Sequence, residues 1–230
     1  QLALPRMRQL SQDGVVDCGI TGLDLVRERG AQVTEVLRLG FGACTLEAAV
    51  PVESTLRSIA DLAGARVATT FPRLAGELLP GPVDLVQVDG SVELAPRLGL
   101  ADAIVDLVSS GSTLRTNGLR SLGPLLESEA VLIAGKNASD ETLQLASVFR
   151  SVVQARGARY LMLNAPEDQL DAICALVPGS RAPSVLPLAE KGMVAVHSVV
   201  PAADVWRLLP ELEAAGASSI LLVPVERMLG

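Results

Sequence analysis

Short runs of aliphatic residues recur along this chain, each followed by a segment with helical spacing, and this alternation constrains the fold most strongly. Residues 15–20, 83–88 and 103–108 are typical of buried strands. Residues 54–64 and 139–157 place apolar side chains at helical spacing behind a serine that can cap the first turn. The alternation predicts an α/β protein.

Composition excludes several classes of function. The chain has a net charge of −7 and only 2% aromatic residues, so it offers neither the basic surface nor the stacking platform that nucleic-acid binding needs. Its three cysteines are far apart and form no CxxC pair, which argues against a disulfide framework and against a protein metal site. We find no signal peptide and no apolar run long enough to span a membrane, and we expect a cytoplasmic protein.

A new pattern begins after the predicted helix ends at Gly157. The remaining residues show the order strand, helix, strand, strand, helix, strand. This β-α-β-β-α-β order is typical of the ferredoxin-like fold, and about 70 residues suit one small domain. We therefore predict a separate C-terminal domain over residues 158–230.

Residues 93–114 carry the strongest chemical signal. A strand that ends in Asp106-Leu107-Val108 is followed by a small polar turn and a helix start. Free backbone N–H groups and hydroxyls at such a turn form an anion cradle, and a carboxylate beside it can accept hydrogen bonds from sugar hydroxyls. The turn consists of Ser109, Ser110, Gly111, Ser112 and Thr113. An ordinary capped helix start would account for the spacing equally well.

The same stretch has a longer pattern, E-x(5)-G-x-A-x(2)-I-x-D-L-V-x-S-G-x-T-L, that begins at Glu93. It resembles, without a gap, the signature of the ATP phosphoribosyltransferase family. Further segments resemble the family in the same order, at residues 17–26, 39–44, 61–74 and 128–134. The end of the chain is similar to the regulatory domain of the family's long form, so the resemblance extends over nearly the whole chain.

The resemblance implies a fold and a division into domains. It implies a two-lobed catalytic unit like a type II periplasmic binding protein, followed by the ferredoxin-like regulatory domain. The first lobe would comprise residues 1–50 and 129–157, and the second lobe residues 51–128. Family members begin with a strand, a basic loop and a helix that have no counterpart here, so we expect the chain to lack the family's N-terminal start.

The resemblance also implies a reaction. The family transfers phosphoribose from phosphoribosyl pyrophosphate to N1 of ATP, with Mg²⁺, and releases pyrophosphate. Asp106 would bind the ribose hydroxyls, Glu93 would lie beside the substrates, and both would be catalytic residues. Residues 109–113 would hold the 5-phosphate, and Asp24 would lie in the nucleotide part of the cleft. A non-catalytic two-lobed protein that binds or senses a small molecule is the alternative.

For the C-terminal domain, the resemblance implies feedback inhibition by L-histidine and assembly into dimers or hexamers. The histidine site would include Asn164, Ser180, Ser184 and Ser219. A purely structural or oligomerising domain is the alternative here. The single histidine, His197, lies in an aliphatic strand and is interpreted as a packed residue.

Overall fold

The computed structural model describes residues 16–136, 138–177, 179 and 182–229. The chain forms two compact units, one that extends to Ala146 and one that begins at Ser147. No helix in the described ranges is long and apolar enough to cross a membrane.

The first unit contains a small antiparallel sheet of three strands in the order β1-β8-β2. Its elements are β1 (Cys18–Gly22), α1 (Leu23–Glu28), β2 (Thr34–Arg38) and β8 (Ala130–Ala134). Leu23 packs against Val131 and Ile133 on this sheet and is buried with them. Apolar residues of α1 and β8 thus form the small core of this part.

The same unit contains a sheet of five strands in the order β5-β4-β6-β3-β7. The strands are β3 (Cys44–Pro51), β4 (Arg66–Thr69), β5 (Asp84–Gln87), β6 (Ala103–Val108) and β7 (Leu119–Ser128). Helices α2 (Pro72–Leu78) and α3 (Ser112–Thr116) and two 3-10 turns, Ile59–Leu62 and Val92–Leu94, complete this part. β4 runs parallel to β5 and β6, whereas β3 is antiparallel to β6 and β7.

Both faces of the five-stranded sheet are covered. Ala103 and Val105 belong to one buried cluster and Ile104 to another, as the alternation of a strand requires. Asp106 shares the parity of Ile104, and the 3-10 turn that carries Glu93 packs on the same face through Val92. Asp106 and the turn that carries Glu93 therefore lie on the same face of the sheet.

Three features of this unit differ from the sequence-based expectation. The strand Cys44–Pro51 belongs to the five-stranded sheet, whereas the predicted domain division assigned residues 44–50 to the first lobe. A helix was predicted over residues 54–64, but only the 3-10 turn Ile59–Leu62 forms there. The Asp61 carboxylate accepts the N–H groups of Arg57 and Ser58, which in an α-helix would donate to backbone carbonyls instead. β7 was not predicted, and it contains Pro124, which an edge strand tolerates.

The second unit follows the order predicted for a ferredoxin-like domain. Helix α4 (Asp140–Arg156) leads into it, and its elements are β9 (Ala158–Pro166), α5 (Leu170–Leu176), β10 (Ser184–Pro187), β11 (Met193–Pro201), α6 (Val205–Ala214) and β12 (Ser218–Pro224). The strands form an antiparallel sheet in the order β10-β11-β9-β12. Leu163, Val196 and Leu212 are fully or almost fully buried in its core.

Candidate active site

The polar turn predicted from the sequence follows β6 directly. Gly111 precedes α3 with a φ of 67°, a left-handed conformation that glycine adopts without strain. The hydroxyls of Ser110 and Ser112 lie 2.8 Å apart, and the backbone N–H of Ser112 donates to Ser110 Oγ at 3.5 Å. The turn therefore places hydroxyls and backbone groups around the start of α3, at the end of β6.

A pocket of about 130 Å³ lies against this turn, and we call it the loop pocket. Its wall consists of Glu93, Asp106, Leu107, Val108, Ser109, Ser110, Gly111, Thr113 and Leu114. Glu93 reaches it from the 3-10 turn Val92–Leu94, which packs against β6. The structure thus brings together Glu93, Asp106 and every predicted turn residue except Ser112, whose hydroxyl contacts that of Ser110.

The carboxyl of Asp106 is half-buried in this pocket. Burial raises the pKa of its carboxyl above the ordinary value, and the nearby charge of Glu93 raises it further. The backbone N–H of Leu107 donates to Asp106 Oδ1 at 2.8 Å and partly opposes that rise in pKa. A half-buried carboxylate with one backbone donor retains the capacity to accept hydrogen bonds from hydroxyl groups.

Sequence reasoning missed two residues beside this site. Glu47 on β3 lies directly opposite Asp106 in the β3–β6 ladder, and Thr45 lies opposite Val108. The Thr45 hydroxyl donates to Glu47 Oε1 at 2.6 Å. The available signal was a single acid in the middle of the aliphatic run at residues 43–50.

Thr45 and Glu47 line an adjoining pocket of about 540 Å³ on the other side of the turn. Its wall also includes Ser109, Ser110, Gly111, Arg115 and Arg120. The turn therefore borders two pockets: the charged residues of the loop pocket are both acidic, whereas the adjoining pocket also contains two arginines.

Asp24 has a different environment. Its carboxylate accepts a hydrogen bond from the Ser128 hydroxyl at 2.5 Å, and its own N–H donates to Ser128 Oγ at 3.0 Å. A β-carbon at Gly22 would lie 2.4 Å from Asp24 Oδ1, which explains why glycine precedes this acid in the T-G-L-D sequence. Asp24 is 5% exposed, and Ser128 separates it from a third pocket.

That third pocket, of about 420 Å³, lies where β2 leads into β3 and where β7 leads into β8. Its wall consists of Arg38, Gly40, Ala43, Cys44, Thr45, Val108, Ser109, Glu127, Ser128 and Glu129. Glu129 connects the two chain segments here, because its carboxylate accepts the N–H of Gly40 at 2.9 Å. We call it the crossing pocket, and it shares Val108 and Ser109 with the loop pocket.

The residues predicted to bind histidine are only partly brought together. Asn164 on β9 pairs with Ser218 on β12, next to Ser219, which has a φ of 50°. Ser184 on β10 pairs instead with His197, and β10 is two strands from β9, a separation of roughly 10 Å. Ser180 lies outside the described residues.

The described part of the chain contains no group of three or more His, Cys, Asp or Glu side chains that could hold a metal ion. The three cysteines, Cys18, Cys44 and Cys174, are all free thiols. The loop pocket itself offers two carboxylates, those of Glu93 and Asp106, as oxygen donors for a hard cation.

Comparisons with known proteins agree with this arrangement. The model of the family "ATP phosphoribosyltransferase" matches residues 7–154, and the model of its C-terminal domain matches residues 155–227. The ATP phosphoribosyltransferase of Gemmatimonas aurantiaca is 44% identical over 233 residues, which cover 94% of this chain and 80% of that protein. The Halobacterium salinarum enzyme of the same name is 43% identical over 223 residues, with 94% and 79% covered.

Solved structures give the same answer for the fold. An ATP phosphoribosyltransferase (HisG:HisZ) complex from Thermotoga maritima is similar with a TM-score of 0.53 and 25% identity, over 62% of this chain and 69% of that one. A substrate-binding protein of an amino-acid ABC transporter matches with a TM-score of 0.51 and 19% identity, over 67% and 73%. The two-lobed fold like a periplasmic binding protein, with a ferredoxin-like C-terminal domain, is thus confirmed. By its sequence over both matched regions, this chain belongs to the ATP phosphoribosyltransferase family.

Proposed function

We propose that this chain transfers the phosphoribosyl group of phosphoribosyl pyrophosphate to N1 of ATP, the first step of histidine biosynthesis. The observation that carries the proposal is the loop pocket, where a half-buried acid, a second acid and a serine- and glycine-rich turn meet in a member of this family. A sugar phosphate has the matching groups, since its hydroxyls donate and its phosphate accepts hydrogen bonds.

Each part of the pocket has a role in this proposal. Asp106 accepts hydrogen bonds from the ribose hydroxyls, and the turn from Ser109 to Thr113 donates hydrogen bonds to the 5-phosphate. Glu93 and Asp106 place negative charge beside the ribose, where positive charge develops at C1 in the transition state. Asp24 acts through Ser128, which it holds in the wall of the crossing pocket, and we assign that pocket to the nucleotide.

In this reaction, the main contribution of the protein is to position the two substrates. The N1 lone pair of adenine forms the new bond to C1 of the ribose while the bond from C1 to the pyrophosphate oxygen breaks. The ring nitrogen carries no proton, so the attack needs no general base. Asp106 and Glu93 are the carboxylates of the loop pocket that would hold Mg²⁺, which would neutralise charge on the pyrophosphate group.

We further propose that L-histidine inhibits the chain through its second unit, that the chain assembles with copies of itself as a dimer or hexamer, and that it acts in the cytoplasm. The second unit supports assembly, because one face of its sheet carries exposed apolar side chains, among them Tyr160, Leu221 and Val223.

The first prediction tests the turn. Thr113→Ala should weaken binding of phosphoribosyl pyrophosphate by about tenfold or more, because a hydrogen bond to a charged group contributes about 1.5–3 kcal/mol. Gly111→Asp should have a larger effect, because it adds a negative charge and a side chain at a φ of 67°. Titration calorimetry with the donor and Mg²⁺ measures both affinities, and chromatography of the reaction with ATP measures the product.

Two control variants make this test specific. Thr116→Ala is the control for Thr113→Ala, at the last residue of α3. Gly118→Asp is the control for Gly111→Asp, at a glycine with a φ of 68° and open space around it. Both controls should bind the donor as the unchanged chain does. Equal affinities in all four variants would contradict the assignment of the turn, and binding without any product would favour the non-catalytic sensor.

A further inference from the structure

The loop pocket lacks a positive charge to balance the phosphate that it is proposed to bind. Its wall contains the carboxylates of Glu93 and Asp106 and no cation. A phosphate held at the turn would be repelled by both acids, and the partial charge of backbone N–H groups offsets such repulsion only in part. A full positive charge beside the turn would remove this difficulty.

Arg115 lies where that charge is needed. It is on α3, four residues after Gly111, and helical side chains lean toward the N-terminus of their own helix. Its Nη2 atom donates to the Ser110 carbonyl oxygen at 3.4 Å. Its Nη1 atom lies 3.2 Å from the position that a β-carbon on Gly111 would occupy. The guanidinium is therefore packed directly against the turn.

The guanidinium also has free hydrogen-bonding capacity. Within the described residues, Arg115 forms no ion pair with a carboxylate, and its one hydrogen bond to the turn uses a single donor out of five. Arg115 and Arg120 are the two cations in the wall of the adjoining pocket, and Arg120 Nη2 already donates to the carbonyls of Ser54 and Leu56. Arg115 is thus the cation of this wall that faces the turn.

We propose that Arg115 is a further substrate-binding residue, which supplies the positive charge for the 5-phosphate of the ribose. The inference rests on the proposed function, because it takes the turn as the phosphate site. Arginine suits this role, since its planar fork of donors matches the oxygens of a phosphate and it stays charged at every accessible pH. The residue would also make the pocket selective for phosphorylated ribose.

The test compares ligands that would place a ribose 5-phosphate at the turn with ATP, which we assign to the crossing pocket. Arg115→Ala should weaken binding of ribose 5-phosphate and of phosphoribosyl pyrophosphate by the same factor, about tenfold at low salt. Binding of ATP should not change. Arg115→Lys should recover part of the loss, because lysine keeps the charge without the planar fork. The difference between Arg115→Ala and the unchanged chain should shrink between about 50 mM and 500 mM salt.

Arg66→Ala is the matched control. It removes the same kind of charge at the start of β4, where Arg66 pairs with Asp102 at 3.3 Å. The parallel strand β6 runs from that end of the sheet toward the turn, so Arg66 lies at the opposite end from the turn. Ribose 5-phosphate should bind this control normally. An unchanged affinity for ribose 5-phosphate in Arg115→Ala, with a strong loss in Gly111→Asp, would overturn the role of Arg115 alone. Failure of the unchanged chain to bind either phosphorylated ligand would overturn the proposed function as well.

Discussion

At the scale of single residues, Asp106 combines two opposing demands. Burial and the charge of Glu93 raise the pKa of its carboxyl, so folding favours the protonated form. The proposed role needs the ionised form, because a carboxylate accepts hydrogen bonds from both hydroxyls of a ribose. A bound sugar would supply those donors and lower the pKa again. The free site therefore holds a destabilised charge that a substrate would stabilise.

A pH titration of stability tests this interpretation. Because the pKa of Asp106 is higher in the folded than in the unfolded chain, its contribution is most favourable below the ordinary value of 3.8 and is lost as the pH rises through the raised pKa. Asp106→Asn should escape that loss, so its melting temperature should rise relative to the unchanged chain over this pH window. Its affinity for phosphoribosyl pyrophosphate should fall at neutral pH.

Asp84→Asn is the control for that experiment, since it removes a charge from an exposed residue of β5. A stability difference between Asp106→Asn and the unchanged chain that stays constant over the whole pH range would contradict the effect of burial. Full affinity of Asp106→Asn for the donor would show that Asp106 is only a structural residue of β6.

At the scale of secondary-structure elements, Glu28 at the end of α1 caps the start of α2. Its Oε1 accepts the N–H of Arg73 at 3.1 Å, and its Oε2 accepts the N–H of Leu74 at 2.9 Å. Pro72 at the first position of α2 has no N–H, so these are the next backbone donors that the short helix leaves unpaired. One carboxylate thus connects the three-stranded part of the first unit to the five-stranded part.

Removal of this cap should destabilise the folded chain. Glu28→Ala should lower the free energy of unfolding by about 1–3 kcal/mol, because two backbone donors lose a charged partner. Denaturant unfolding of the chain measures the difference. Glu77→Ala is the control, since Glu77 forms an exposed ion pair with Arg73 at 2.8 Å, and such pairs contribute less than about 1 kcal/mol. Equal losses of unfolding free energy in the two variants would show that the cap contributes no more than an exposed ion pair.

At the scale of the whole molecule, the two units have separate cores and separate proposed ligands. The first unit contains the three pockets described here, and the second contains Asn164, Ser184 and Ser219 on its strands. A ligand that binds only the folded second unit should stabilise that unit, irrespective of the donor. Calorimetric melting can therefore examine regulation apart from catalysis.

We expect millimolar L-histidine to raise the melting temperature of the second unit, with little effect from most other amino acids. A ligand at about 100 times its dissociation constant adds about 2.7 kcal/mol of stability. Ser184→Trp should abolish the shift by filling the proposed site, whereas Lys191→Trp, in the exposed turn after β10, should keep it. Melting that ignores histidine while it responds to the donor would show that the second unit serves assembly alone.

Asn164→Ala tests whether Asn164 and Ser184 belong to the same histidine site. Asn164 and Ser184 lie on strands that are two apart in one chain. A loss of the histidine shift in both variants would mean that one ligand depends on both positions. A loss in Ser184→Trp alone would place the site at β10 and β11, beside His197.

The sequence alone determined the features that depend on near neighbours. The turn at residues 109–113 follows from small polar residues after an aliphatic run, and the second unit follows from the order of six local patterns. The family followed from the long pattern that begins at Glu93, and the comparisons confirm it. Edge strand β7 was missed because Gly123 and Pro124 interrupt its alternation, and an edge strand needs no continuous ladder.

Only the tertiary structure decided which distant residues meet. Glu47 lies opposite Asp106, and Ser184 lies two strands from Asn164, because of the register and order of the strands. Glu28 caps α2 because the tertiary fold brings α1 against α2. The local sequence shows the apolar period of a strand or helix, and this period indicates on which face of the element each side chain lies. Register and strand order depend instead on pairings between segments far apart in the chain, which a single sequence does not display.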